Sequence, residues 1–195
     1  MYPARDEAER ILQDGERCNP GPWSGHSRVA ARCAEAIAAA CGELDPEKAY
    51  VLGLLHDIGR KFGKRHLGHV SDGYAYMLRL GYDDAARICL THSFHNASLS
   101  EFIGQIDTTP DETALVVGAL STVQMDEYDR LIQLCDAVAG VDGPVDMEAR
   151  MDDVERRYGT YPESKRNSIL ALRRYFEEKS GRDIYEVVDK DNFRL

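Results

Sequence analysis

The stretch YVLGLLHDIGRKFG, residues 50–63, sets a polar pair, His56-Asp57, directly after an apolar run. The run reads as a buried helix. Asp45 is placed to N-cap it, and Pro46 falls at its first position, where a missing N–H costs nothing. An imidazole beside a carboxylate in an apolar setting is costly unless the two are paired or bind a metal. Fold and function therefore turn on whether the rest of the chain supplies further ligands.

Working outward, helical patterns dominate. HSRVAARCAEAIAAACG (26–42) repeats apolar residues at close to a 3.6-residue period and stops at Gly42, with Ser24 a candidate N-cap. HVSDGYAYMLRLG (69–81) ends at a glycine, and YDDAARICLTHSF (82–94) restarts with Asp83 or Asp84 near its cap. A looser stretch runs from about Asn96 to Pro110. Amphipathic segments follow at 126–140, 146–159 and 163–181, and DIYEVV (183–188) could close the chain as a short helix. Strand alternation is almost absent. The expected architecture is an all-α compact helical bundle in a single domain, with a core over about 20–145 and additional helices from 146 to 195 packed on it.

The chain has 195 residues, 43% of them hydrophobic, and a net charge of −10. That charge argues against a surface built for a nucleic-acid duplex or an anionic membrane, although local metal ions could still attract a phosphorylated substrate. The five cysteines never form a CxxC pair, and four lie in apolar helical stretches, which suggests buried free thiols in a reducing compartment. The charged amino terminus is unlike a signal peptide, and no apolar stretch is long enough to span a bilayer, so a cytoplasmic location is expected.

All six histidines, His26, His56, His66, His69, His92 and His95, fall in the first half of the chain. Singly, each has a bland reading as a capping or solvated side chain. Together they mark the ends of several helices that could aim at one point, and Asp136 sits in LIQLCDAVAG, where a free carboxylate has little business. Imidazole nitrogen and carboxylate oxygen without thiolate suit one or two divalent transition metal ions: Fe, Mn, Zn, Co or Ni.

The order His26, His56-Asp57, Asp136 resembles the HD superfamily of metal-dependent phosphohydrolases over roughly residues 24–140, and LLHDIGR resembles its HD-Ile-Gly subgroup. The resemblance implies a helical fold in which those four residues bind a first metal. HVSDG and ICLTHS resemble the two segments that carry second-metal histidines, which implies ligand roles for His69 and His92. Bacterial HD proteins that cleave dinucleoside tetraphosphates have a similar layout. His66 and His95 lie three residues from these ligands on the same helical face, and could exchange roles with them or contact substrate. No GYP segment of the cyclic-di-GMP phosphodiesterase branch is present.

On this reading the protein is a phosphohydrolase of a nucleotide or other small phosphorylated metabolite, its nucleophile a hydroxide formed on bound metal near neutral pH. Asp57 is the natural bridge or orienter. Arg60, Lys61, Lys64 and Arg65 form a Gly-bracketed basic turn, from which Lys61 is expected to contact phosphate; the plain alternative is a solvated loop. Trp23 could stack on a nucleobase, although packing beside the neighbouring helix is the simpler reading. Two competing functions are an HD-fold di-iron oxygenase and a non-catalytic metal or nucleotide sensor.

Overall fold

Asp45 caps the helix that decides the fold: its carboxylate accepts from the amides of Glu47 (2.9 Å) and Lys48 (3.4 Å), with Pro46 in the first turn. The computed structural model describes residues 1–189. Its helices are α1 (Arg5–Cys18), α2 (Trp23–Cys41), α3 (Pro46–Leu55), α4 (Leu67–Arg79), α5 (Asp83–Thr91), α6 (Pro110–Thr122), α7 (Glu127–Val138), α8 (Met147–Tyr158), α9 (Glu163–Ser180) and α10 (Ile184–Val187). Short 3₁₀ turns lie at Ile58–Phe62 and Leu99–Glu101. Among the described residues there is no strand, only one isolated bridge between Ala139 and Pro144. The fold is all-α, a compact helical bundle with extra helices C-terminal to it.

α3 is apolar on all sides and correspondingly buried on all sides. It packs on α2 most extensively, and on α1, α5 and α7. At the α2–α3 crossing Gly53 lets the backbones meet, since a Cβ there would sit 2.8 Å from Cα of Ala31. α9 lies on α7 and α2, α8 on α7, and α10 on α2, so the C-terminal helices extend the same core through Met147, Ile169 and Phe176. A smaller core of Leu67, Val70, Leu90, Phe94, Val116 and Leu120 joins α4 and α5 to α6.

Several local expectations need correction. Ser24 does not cap α2: the helix starts at Trp23 behind Pro22, and the Ser24 hydroxyl donates to Glu16 (2.9 Å). Tyr82 precedes α5, with Asp83 and Asp84 in its first turn. α6 occupies the region left without an assignment; Thr109 and Glu112 close a capping box around Pro110. All five cysteines are free, but Cys18 is exposed and Cys41 half-buried, so only three thiols are core residues. Trp23 is buried, its Nε1 donating to the Asn19 carbonyl (2.8 Å), although its ring also borders the cavity described below.

Candidate metal centre

His56 is the C-terminal cap of α3, where the chain leaves the helix and Asp57 turns it into the 3₁₀ segment. His26 comes from the first turn of α2, His69 from the first turn of α4, His92 from the C-terminal cap of α5, and Asp136 from the last turn of α7. Helix ends rather than helix faces thus converge, which lets five elements contribute to one small volume.

Each imidazole is oriented through its second nitrogen. Nδ1 faces a backbone carbonyl in every case: Ala139 for His26 (3.1 Å), Gly53 for His56 (2.7 Å), His66 for His69, and Cys89 for His92 (2.9 Å). A neutral ring donating Nδ1–H turns a bare Nε2 lone pair inward. The inward atoms form two groups, His26/His56/Asp57 and Asp57/His69/His92, with Asp57 common to both. His56 Nε2 is 4.0 Å from Asp57 Oδ2 and from Asp136 Oδ1, and His26 Nε2 is 2.9 Å from Asp136 Oδ1. On the other side, Asp57 Oδ1 lies 3.2 Å from His69 Nε2 and 3.7 Å from His92 Nε2, while the two Nε2 atoms are 3.2 Å apart.

These residues fit a cation. His56 Nε2 and Asp57 Oδ1 are buried with no hydrogen-bond partner. His69 and His92 point ring nitrogens at one another and at a carboxylate, an arrangement that is repulsive unless a metal ion or a ring proton sits among them. Tetrahedral ligands at Zn–N bonds of about 2.1 Å stand about 3.4 Å apart, close to the separations here.

Protonation agrees with this. Burial, reinforced by His56, pushes His92 down to about 3, and burial likewise lowers His56 against the pull of Asp57 and Asp136. For Asp57 burial acts upward, but Arg60 and His69 outweigh it and hold the carboxyl well below the usual carboxylate range. Asp136 is held down in the same way, burial being overcome by His26, His56 and Arg150. Neutral rings at His56 and His92 and ionised carboxylates at Asp57 and Asp136 are states a metal requires of its ligands. The nearby Cys89 thiol is raised by burial and donates to the Leu55 carbonyl (3.2 Å), so the donor set is nitrogen and oxygen only.

A cavity of about 550 Å³ opens on His26, Asp57, His69, His92 and Asp136. Arg60, Lys64, Arg65, His66 and His95 line it, as the sequence suggests, but their side chains do different things. Arg60 Nε donates to Asp57 Oδ2 (2.6 Å). Arg65 is held by Asp72 (2.9 Å) and Glu112 (2.8 Å). The His66 ring meets the edge of Tyr158 (centroids 6.0 Å apart), and both His95 ring nitrogens are shielded from solvent without a partner. Lys61 lies apart from them: its ammonium pairs with Asp14 on α1, lies 3.4 Å from the Tyr76 hydroxyl, and does not line the cavity. A 3₁₀ turn advances about 120° per residue, so neighbours Arg60 and Lys61 leave it in different directions.

Other site residues carry no signal that sequence reasoning used. Arg150 of α8 donates to Asp136 (3.4 Å), and Lys165 of α9 to the Ser93 carbonyl (2.9 Å). Arg157, Tyr158 and Tyr161 join them in the cavity wall. Beneath, buried Asp129 accepts from Thr91 (2.6 Å) and pairs with Arg87, and Gln133 donates to the carbonyls of Thr91 (3.0 Å) and Phe94 (3.3 Å), which fixes the end of α5 that carries His92.

Against this geometry, the family model of the HD domain matches residues 23–140, more than half of the chain. The chain belongs to the HD family. No curated protein and no solved structure matches it significantly. HD proteins are mostly metal-dependent hydrolases, and the matched segment contains all six residues of the cluster. Together, family and cluster point to metal-dependent phosphohydrolase activity in general. The match ends before α8, so the cavity wall made by α8 and α9 lies outside it. No helix among the described residues is long and apolar enough to cross a membrane.

Proposed function

We propose that this HD protein is a phosphohydrolase that cleaves a phosphate ester or phosphoanhydride of a nucleotide or similarly small phosphorylated metabolite, using one or two divalent transition metal ions held by His26, His56, Asp57, His69, His92 and Asp136. The reading rests on one observation above all: imidazoles tethered through Nδ1 direct Nε2 atoms toward the buried carboxylate of Asp57 and the half-buried one of Asp136, in a cavity lined by cations. On a chain of net charge −10, that lining focuses an anionic ligand on the cluster. Such ions, when bound, supply Lewis-acid stabilisation and an activated water at neutral pH.

The chain's own residues do the rest. Asp57 offers one oxygen to each half of the cluster, the disposition of a shared ligand. Arg60, locked on Asp57, presents its remaining N–H groups beside the place where a phosphoryl oxygen would lie, and takes the role first given to Lys61. Lys64, His66 and His95 face the same space and are candidates to orient the substrate. Ile58-Gly59 after the HD pair supports membership of the HD-Ile-Gly subgroup. A Cβ on Gly59 would meet the His69 carbonyl and the Gly73 amide, so the glycine lets the 3₁₀ turn press against α4. The two-centre layout favours the branch that cleaves dinucleoside tetraphosphates. A volume near 550 Å³ is within the ordinary range for a nucleotide-sized ligand.

The test is metal analysis of the purified protein, then phosphate release from mono-, di- and dinucleoside polyphosphates after loading with Fe, Mn, Zn, Co or Ni. Release that persists under argon and disappears in His56→Ala is the expected result. Product formed only with oxygen would establish the oxygenase instead, and tight metal or nucleotide binding without any product would establish a sensor.

A further inference from the structure

The cluster has cations on two sides, and they differ in origin. Arg60 on the Asp57 side belongs to the family-matched segment. Arg150 and Lys165 belong to α8 and α9, beyond it. Arg150 reaches Asp136, and Lys165 reaches the carbonyl of Ser93, the residue next to His92. His95 completes this second side. It is shielded from solvent, lines the cavity, and has no partner for either ring nitrogen. A buried polar side chain without a partner is costly, and is kept where a ligand supplies the missing bond.

Charge separates two uses of this second side. Two carboxylates face the cluster, so divalent ions there, together with Arg60, already balance the dianion of one phosphoryl group. Arg150 and Lys165, with N–H groups beyond those they give to Asp136 and Ser93, line the same cavity together with His95. Two cationic donors, with the neutral His95 ring beside them, gathered where a first anion is already neutralised call for a second anion linked to it.

We propose that Lys165, with Arg150 and His95, holds the phosphate adjacent to the scissile one, so that the substrate carries two or more linked phosphates; this rests on the hydrolase reading above. Substrate choice is then set by α8 and α9, while the HD segment sets the chemistry. A monophosphate would fill only the Arg60 side.

Calorimetric titration of the full chain, loaded with Mn²⁺ and freed of excess metal, reads this without turnover. The probes are inorganic phosphate and the non-hydrolysable methylenediphosphonate, with protein-bound metal assayed after each titration. The wild-type protein should prefer the diphosphonate by about 10- to 100-fold, the worth of one or two charge-assisted hydrogen bonds. Lys165→Met should reduce that preference with phosphate affinity unchanged, Arg150→Met should weaken the diphosphonate more than phosphate, and Lys165→Arg should restore most of the preference. Lys165→Arg and Arg150→Met keep the test open should Lys165→Met fail to fold. No preference in the wild-type protein, or equal loss for both anions in the variants, overturns the proposal. A wild-type preference for the diphosphonate with no phosphate release from any compound would leave the anion site standing and remove the hydrolase reading. Hydrolysis of monophosphates with no preference would do the reverse.

Discussion

The two halves of the cluster, His26/His56/Asp136 and His69/His92, share Asp57 but solve the problem of buried polar atoms differently. In the first half the His26 ring faces an acceptor on each nitrogen, Asp136 at 2.9 Å and the Ala139 carbonyl at 3.1 Å. Without an ion, that side still has a hydrogen-bonded alternative for two of its groups. In the second half His69 Nε2 stands 3.2 Å from both Asp57 Oδ1 and His92 Nε2, and His92 Nε2 lies 3.7 Å from the same oxygen, so a single ring proton would have to serve three atoms. The first half stands on the 19-residue α2, on α7 and on the buried α3, the second on α4 and the short α5. The second half, with fewer protons than polar atoms to share them, therefore depends more on a cation for its shape.

The largest effect should come from the residue the halves share. Asp57→Ala removes a ligand from both and strands the Arg60 guanidinium. Metal content should fall to background, and phosphate release by about 10³-fold or more. His56→Ala should come close to it. A variant at Asp57 that kept full metal content and turnover would show that the halves are not joined through this carboxylate. His69→Ala and His92→Ala should instead leave about one ion per chain on the stronger side. Loss of both ions in His69→Ala would mean that the halves bind as a unit.

Two glycines allow each half to be disturbed without touching a ligand. A Cβ on Gly59 would come within 1.9 Å of the His69 carbonyl and 2.5 Å of the Gly73 amide nitrogen, both backbone atoms that cannot move aside cheaply. On Gly53 it would press on Cα of Ala31 at 2.8 Å, next to the carbonyl that orients His56. Each Gly→Ala change should cost about 3 kcal/mol or more by overpacking. Gly59→Ala should selectively weaken the ion of the second half, and Gly53→Ala that of the first. Metal titration of the folded variants decides, and identical binding defects would deny that the halves rest on separate supports.

The same contrast explains how much the chain disclosed in advance. His26, His56-Asp57 and Asp136 are legible because they break apolar helical patterns at helix ends, where a polar group needs a reason. Helix α3 was legible from Asp45-Pro46 and its apolar run. α6 gives no periodic signal because ALVVGAL is apolar all round, although Thr109-Pro110-Asp111-Glu112 carries a capping-box signature that marks its start. Arg60 and Lys61 have the same charge, and only the 3₁₀ turn decides which one reaches Asp57 and which pairs with Asp14. Arg150, Tyr158 and Lys165 lie on segments whose pattern reports amphipathic helices and nothing else, and Tyr161 lies in the connection between them. Their approach to the site depends on how α8 and α9 dock on α7 and α2, which is long-range packing without a local signal.

Arg60→Met and Lys61→Met turn that last distinction into a measurement. Arg60→Met should lower kcat/KM by about 10²-fold, as for other preorganised charge stabilisers. Lys61→Met should leave it unchanged, since its ammonium is engaged with Asp14 away from the cavity. A loss in Lys61→Met as large as that in Arg60→Met would restore the phosphate role to Lys61.

The smallest effect is read from acid sensitivity. Burial, then the charge of Lys165, push His95 down to about 3 against the pull of Asp136. In the unfolded chain the same group titrates near 6.5. Between those values the unfolded state holds a proton that the native state refuses, so stability falls as pH decreases through this window, by up to about 1.4 kcal/mol per pH unit for one group. His56 and His92 are lowered in the same direction and add to the slope in chelator-treated protein. Bound ions, by contrast, hold these two rings neutral in the native state and add binding energy of their own. Urea unfolding at pH 7, 6 and 5 should therefore show the metal-free protein losing stability steeply toward acid, and His95→Gln should remove one proton's share of that loss. His95 stands on the α5 side with the second half of the cluster, so an unaltered slope in His95→Gln would place the acid-labile groups wholly among the ligands and none in the surrounding wall.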